Sequence, residues 1–278
     1  MSQVFRFAPS PNGFLHSGHA YSALLNDRLA RECGGRFLLR IEDIDTGRAR
    51  PAFEQAIYED LAWLGLDWEK PVRRQSEHFD AYARALERLD TMGLLYACDC
   101  RRSDITRIAK TRGDWPNDPD GSPHYPGTCR HKPHRPARET LAAGGVALRL
   151  DMRKAVDQAG RELSWREGDA TVVADPLRWG DVILARKDTP ASYHIAVVVD
   201  DALQGVTSVV RGRDLYHATS VHRLLQRLLD LPEPRYVHHD LLRDSTGEKL
   251  AKSRGSESLR ALRAAGDSSA AIRARLGF

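Results

Sequence analysis

His16 and His19 stand three residues apart in the run His16-Ser17-Gly18-His19. On a helix that spacing puts both imidazoles on one face. If the run opens a helix, its end adds free backbone N–H groups and a positive dipole end, a setting suited to phosphate. Gly18 between them leaves room for an adenine or ribose to approach the backbone. Far downstream, Lys249 and Lys252 lie in Gly247-Glu248-Lys249-Leu250-Ala251-Lys252-Ser253-Arg254-Gly255. That composition reads as a loop presenting ammonium groups. Taken singly, each motif also suits a bland role, a capping histidine pair or a solvated basic loop.

A second constellation is built from thiols. Cys98-Asp99-Cys100 is followed by Tyr125 and Cys129. Three thiolates plus a phenolate or water make a closed tetrahedral zinc site. Cysteines two apart rarely bridge each other, because their side chains leave an extended strand on opposite sides. Common zinc ribbons pair Cys-x₂-Cys, so the spacing alone is moderate support, and His124 and His131 compete as fourth ligand. Cys33 beside Gly34 reads as a buried small hydrophobe.

The elements that must position these groups are legible in the hydrophobic pattern. Residues 4–8 read as a strand that stops at Pro9 and Pro11. From His16 the period turns helical, with Ala20, Leu24, Leu25, Leu29 and Ala30 recurring before Gly34-Gly35. Residues 36–41 read as a second strand, completing a βαβ unit with parallel pairing. Amphipathic helices follow at 53–64 and 79–92. Residues 113–136 carry six prolines and three glycines, the texture of an irregular insertion. Strand-like runs return at 146–150, 181–185 and 195–199, and a helix at 219–229 ends before Pro232.

With 278 residues the chain can bury a sizeable core. Hydrophobic residues at 41% and charged residues at 29% give an ordinary globular balance. A net charge of +4 is compatible with a polyanionic partner without establishing one. No run approaches the roughly 20 apolar residues of a membrane span. The first residues lack a basic leader followed by an apolar stretch. Four cysteines in this pattern fit a reducing compartment, and the expected location is cytoplasmic.

Taken in order, the histidine and lysine runs resemble the two ATP-handling signatures of class I aminoacyl-tRNA synthetases. Arg6-Phe7-Ala8-Pro9-Ser10-Pro11-Asn12-Gly13 resembles the glutamyl and glutaminyl branch. So do Leu39-Arg40-Ile41-Glu42-Asp43-Ile44-Asp45 and Val209-Val210-Arg211-Gly212-Arg213-Asp214-Leu215. The resemblance runs from Phe5 to about Ser253. It implies an α/β fold, a Rossmann-like parallel-sheet nucleotide-binding domain split by an inserted zinc-containing α+β subdomain. The implied division is 1–97 as the first catalytic half, 98–190 as the insertion and 191–278 as the second half, with no anticodon-binding domain.

The resemblance also distributes roles. His16, Gly18, His19 and Lys252 are implied to bind ATP. His16, His19, Lys249 and Lys252 are implied to act in catalysis, with Lys252 making the decisive transition-state contact. Leu250-Ala251 replaces the Met-Ser often found there, which removes no charge. Arg6 and Arg211 fall at the carboxylates of glutamate, Glu42 at its ammonium and Tyr193 along its stem, with Ala8 and Ser10 completing that pocket. Short glutamyl-synthetase-like proteins carry the Cys98, Cys100, Tyr125, Cys129 pattern as a zinc clip. The implied cofactors are ATP with Mg²⁺ and one structural Zn²⁺.

Only a short tail follows the lysine run, so the expected enzyme is a stand-alone catalytic domain. It would activate L-glutamate and pass it to queuosine at the wobble position of tRNA(Asp), receiving the anticodon loop itself. No membrane and no obligate protein partner is expected. Two alternatives stay open here: a conventional enzyme charging the 3′ end of tRNA(Glu), and a non-catalytic paralogue.

Overall fold

The computed structural model describes residues 2–160, 162–242 and 257–278. The chain opens with β1 (Val4–Phe7), α1 (Ser17–Glu32), β2 (Arg36–Ile41), α2 (Pro51–Trp63), β3 (Glu69–Arg74), α3 (Phe79–Thr91) and β4 (Leu95–Cys98). Next come α4 (Arg102–Thr111), α5 (Ala137–Ala143), β5 (Ala147–Leu150), α6 (Met152–Ala159), β6 (Ser164–Glu167) and β7 (Ala170–Val173). β8 (Ile183–Ala185), α7 (Tyr193–Leu203), β9 (Ser208–Gly212), α8 (Thr219–Leu228) and β10 (Arg235–His239) follow. α9 (Leu259–Ala264) and α10 (Ser269–Arg275) close the chain.

These elements form two compact units, one from described residues within 1–77, 205–216 and 234–278, the other from 78–204 and 217–233. In the first unit the strands run parallel in the order β3-β2-β1-β9-β10. β1 is buried along its whole length, as a central parallel strand covered on both faces must be. α1 packs on β1, β2 and β9 and carries Ala20, Ala23 and Leu24 inward. Its C-terminal turn is released by Gly34 at φ 61°, a left-handed value that glycine adopts without steric cost. Phe5, Phe7, Leu39, Ile41, Ile57, Leu61 and Val210 form the core, which Leu259 of α9 and Ile272 of α10 also enter.

The second unit holds an antiparallel sheet, β4-β5-β8, and a hairpin, β6-β7. Helix α7 packs between α3 and α8, and α8 also meets α6. The run 195–199, read above as a strand, lies inside α7. Residues Ile195 to Asp201 of that helix are all buried, so no polar face marks its 3.6 period and the run looks like a buried strand. Cys33 also departs from expectation: it is exposed at the C-cap of α1.

Candidate active site and thiol cluster

The parallel sheet concentrates candidate residues at the carboxyl ends of its strands. Arg6 lies on β1, with Ala8, Ser10 and His16 on the segment that leaves it. Glu42 follows β2, and Arg211 is near the end of β9. The sheet order reverses between β1 and β9, the position where open α/β sheets bind nucleotides.

His16 is the N-cap of α1, and its Nδ1 accepts the Gly18 N–H at 3.1 Å. His19 Nδ1 accepts the His16 N–H at 3.2 Å, so the two rings close a reciprocal capping box. Their centroids are 3.9 Å apart. Since each Nδ1 is an acceptor, the neutral rings carry their hydrogen on Nε2. Gly18 serves this turn directly: a Cβ there would sit 2.9 Å from His16 Cε1. The two rings are thus adjacent, but His16 stands at the extended N-cap before α1, so they meet through the cap and not on one face of the helix. Ser258, the N-cap of α9, forms an antiparallel bridge with His16, and Leu259 N–H donates to the Leu15 carbonyl at 2.8 Å. Lys249 and Lys252 lie outside the described residues.

Arg6 and Arg211 are both buried. Glu42 accepts from Arg40 Nη2 at 3.1 Å, and the Arg40 side chain is fully enclosed. Two positions apart along an extended chain, the two side chains share a face. Glu42 N–H is itself bonded to the Pro9 carbonyl at 3.0 Å, tying the ends of β1 and β2 together. Asp43 holds the next turn, accepting from Ser76 N–H at 2.8 Å and Ser76 Oγ at 2.6 Å. Arg40 was not singled out from the sequence, and the signal for its contact with Glu42 was the i, i+2 spacing. His238, also not singled out, accepts from Arg211 Nε at 3.1 Å. Tyr193 belongs to the second unit, where it opens α7 and meets the His222 ring at 5.4 Å. His194 Nδ1 and His222 Nε2 are 3.2 Å apart, so one shared hydrogen joins them.

In the second unit the Sγ atoms of Cys98, Cys100 and Cys129 lie within 4.8 Å of one another. Cys100 and Cys129 are 3.6 Å apart, close to the ~3.8 Å that tetrahedral Zn–S bonds impose. Tyr125 Oη is 3.4 Å from Cys100 Sγ and accepts the Cys129 N–H at 2.9 Å. His124 instead spends its Nε2 on the Arg178 carbonyl at 2.8 Å, and His131 is exposed. Arg149, buried on β5, donates Nε to Cys98 Sγ at 3.3 Å and lies 4.0 Å above the Tyr125 ring. Burial pushes the Cys98 thiol up, but hydrogen bonds from Tyr125 and Arg149 outweigh it and the net shift is downward. Burial raises Cys100 and Tyr125. Asp99 is held at about 2, first by the hydrogen bond from Lys132. The three clustered thiols suit Zn²⁺, with Tyr125 Oη beside Cys100.

A parallel sheet whose strand order reverses beside a capped histidine pair has the α/β architecture that places ligand sites at the carboxyl ends of its strands. Residues 3–277 match the family of tRNA synthetases class I (E and Q), catalytic domain, and the chain belongs to that family. It is 48% identical to a glutamyl-Q tRNA(Asp) synthetase of Rhodobacter capsulatus over 282 residues, covering 99% of this chain and 100% of that one. A namesake in Deinococcus radiodurans is 41% identical, covering 99% and 88% of the two chains. Among solved structures it resembles a glutamate tRNA ligase from Elizabethkingia meningosepticum in complex with its amino acid. There the TM-score is 0.73 and the identity 26% over 96% of this chain, which spans 54% of that one. The methionyl-tRNA synthetase of Mycobacterium tuberculosis, at 14% identity and TM-score 0.60, shares the fold. Among the described residues no helix is long and apolar enough to cross a membrane.

Proposed function

We propose that the chain activates L-glutamate with ATP and transfers it to queuosine at the wobble position of tRNA(Asp). The observation that carries this reading is the end-to-end similarity, 48% over 282 residues, to an enzyme named for that tRNA. The site chemistry agrees. Glutamate's α-carboxylate attacks the α-phosphorus of ATP, giving glutamyl-adenylate and releasing pyrophosphate. The developing charge on the phosphoryl oxygens needs preorganised donors. His16 and His19 supply two imidazole N–H groups on a rigid helix cap, and Lys252 is assigned the pyrophosphate contact. Mg²⁺ bound with ATP would neutralise part of the triphosphate charge.

In the proposed amino-acid pocket Arg6 and Arg211 receive the carboxylates, Glu42 receives the ammonium, and Ala8, Ser10 and Tyr193 complete it. Guanidinium forks suit planar carboxylates. In the second step a hydroxyl of queuosine's cyclopentene ring attacks the activated carbonyl and AMP leaves. Single-stranded loops suit this transfer because their unstacked bases can be splayed into a pocket.

Residues 98–190 are proposed as an insertion between catalytic halves 1–97 and 191–278. Cys98, Cys100, Tyr125 and Cys129 would hold one structural Zn²⁺ there, which ties the irregular stretch to β4. The proposed setting is the cytoplasm. Glutamate-dependent exchange of pyrophosphate into ATP, measured without tRNA, tests the first step. Exchange in the presence of glutamate is expected, and its absence from folded protein contradicts the assignment.

A further inference from the structure

Two runs in the second unit set the sign of the chain's charge. Residues 101–112 carry five arginines and lysines, residues 130–138 carry four, and Asp104 is the one acidic residue in either run. The whole chain has 42 arginines and lysines against 38 acidic residues, so outside the two runs the balance is 33 against 37. The chain is basic only because of them. The thiol cluster joins the runs at their origins: the first leaves Cys100 and the second leaves Cys129, whose Sγ atoms are 3.6 Å apart.

Helix α4 lays Ile105 against that cluster and has no fully buried residue. At about 100° per residue, Arg102, Lys110 and Arg107 fall within an arc of about 140° on the side away from Ile105 and Ile108. All three are exposed. Four of the nine cations have a partner: Arg107 meets Asp104 at 3.8 Å, Arg112 lies over the Trp115 ring, Arg130 meets Asp181 and Lys132 meets Asp99. Arg101, Arg102, Lys110, Arg135 and Arg138 make no ion pair among the described residues.

Like charges gathered in one region repel one another, and a polyanion relieves that repulsion. A phosphate backbone does so without regard to sequence, releasing counterions for each phosphate neutralised. Cations without an internal ion pair forfeit none on binding. We propose that α4 and the run after Cys129 form a docking surface for the phosphate backbone of the tRNA's anticodon arm, with the thiol cluster bringing the two runs together. The inference rests on the proposed transfer to tRNA(Asp), which brings that arm to the protein.

The test is affinity for queuosine-bearing tRNA(Asp) between about 50 and 200 mM salt. Wild type is compared with R102Q/R107Q/K110Q, R135Q/R138Q and a control, R84Q/R88Q/R153Q. The control removes three charges from exposed positions of the same unit outside the runs. The α4 variant is expected to flatten the dependence of log K on log salt by about two to three and to bind about 10- to 100-fold more weakly at about 100 mM salt. R135Q/R138Q should flatten it by about one to two, and the control should stay within about twofold of wild type in affinity. Glutamate-dependent pyrophosphate exchange without tRNA, measured alongside, should stay within about twofold of wild type throughout. An unchanged slope in either run variant, or an equal loss in the control, overturns the proposal. A wild type that activates glutamate but neither binds nor glutamylates tRNA(Asp) removes the functional reading itself, and the proposal with it.

Discussion

His16, which caps α1, pairs with Ser258, which caps α9. The bridge brings the chain that follows the lysine motif back to the histidine motif, because Ser258 stands six positions after Lys252 in sequence. Leu259 continues from it into the core. Two helix caps remote in sequence thus meet at one bridge.

This bridge frames the first prediction. Lys252→Ala should slow glutamate-dependent exchange by about 10²- to 10³-fold, the effect of losing one transition-state donor. Melting temperature should be unchanged, since the substitution touches a side chain assigned to substrate. Undiminished exchange by that variant would remove Lys252 from the mechanism.

The thiol cluster predicts about one zinc per chain in protein purified without chelators. Cys98→Ser should lose the metal. Arg149→Met keeps the bulk of the side chain but deletes the charge beside Cys98 and over Tyr125. It should weaken zinc retention about tenfold against a competing chelator, as outer-shell substitutions do. Metal-free wild-type protein would reduce Cys98, Cys100 and Cys129 to ordinary thiols.

Glu42→Gln should raise KM for glutamate by at least about tenfold, because the side chain then offers the ammonium no negative charge and leaves Arg40 buried beside a neutral partner. KM for ATP should hold. Parallel changes in both constants would place Glu42 outside the amino-acid pocket.

Asp60 on α2 is fully buried, with neither carboxylate oxygen hydrogen-bonded among the described residues, and Arg263 of α9 is 3.6 Å away. Burial raises its pKa from 3.8 to about 6, against the opposing pull of Arg263. The folded state therefore holds an extra proton between these values. The stability that proton lends is complete below about pH 4 and lost as pH rises through about 6. Relative to Asp60→Asn, the wild type should lose up to about 3 kcal/mol between pH 4 and pH 7. Denaturation curves that stay parallel for the two proteins across this range would refute the shift.

Much of this was written in the sequence. The strand, helix and strand of 4–41 were legible because their periods are clean and Gly34-Gly35 punctuates them. The proposed pocket residues rest on the family resemblance alone, since no local pattern distinguishes Arg6 or Arg211 from structural arginines. Helix α7 was unreadable because burial on every side erased its period. Arg40 and His238 were passed over for a different reason. Each is marked only by a hydrogen bond to a neighbour, Arg40 to Glu42 and Arg211 to His238, and the second pairing joins strands remote in sequence. Such relations exist only once the sheet register is known.

The most direct measurement is incorporation of labelled glutamate into purified tRNA(Asp) in two forms, one bearing queuosine and one with unmodified guanosine at the wobble position. The account predicts incorporation into the first, stable to removal of the terminal adenosine, and none into the second. Efficient charging of tRNA(Glu) with label lost on removing its terminal adenosine would contradict it.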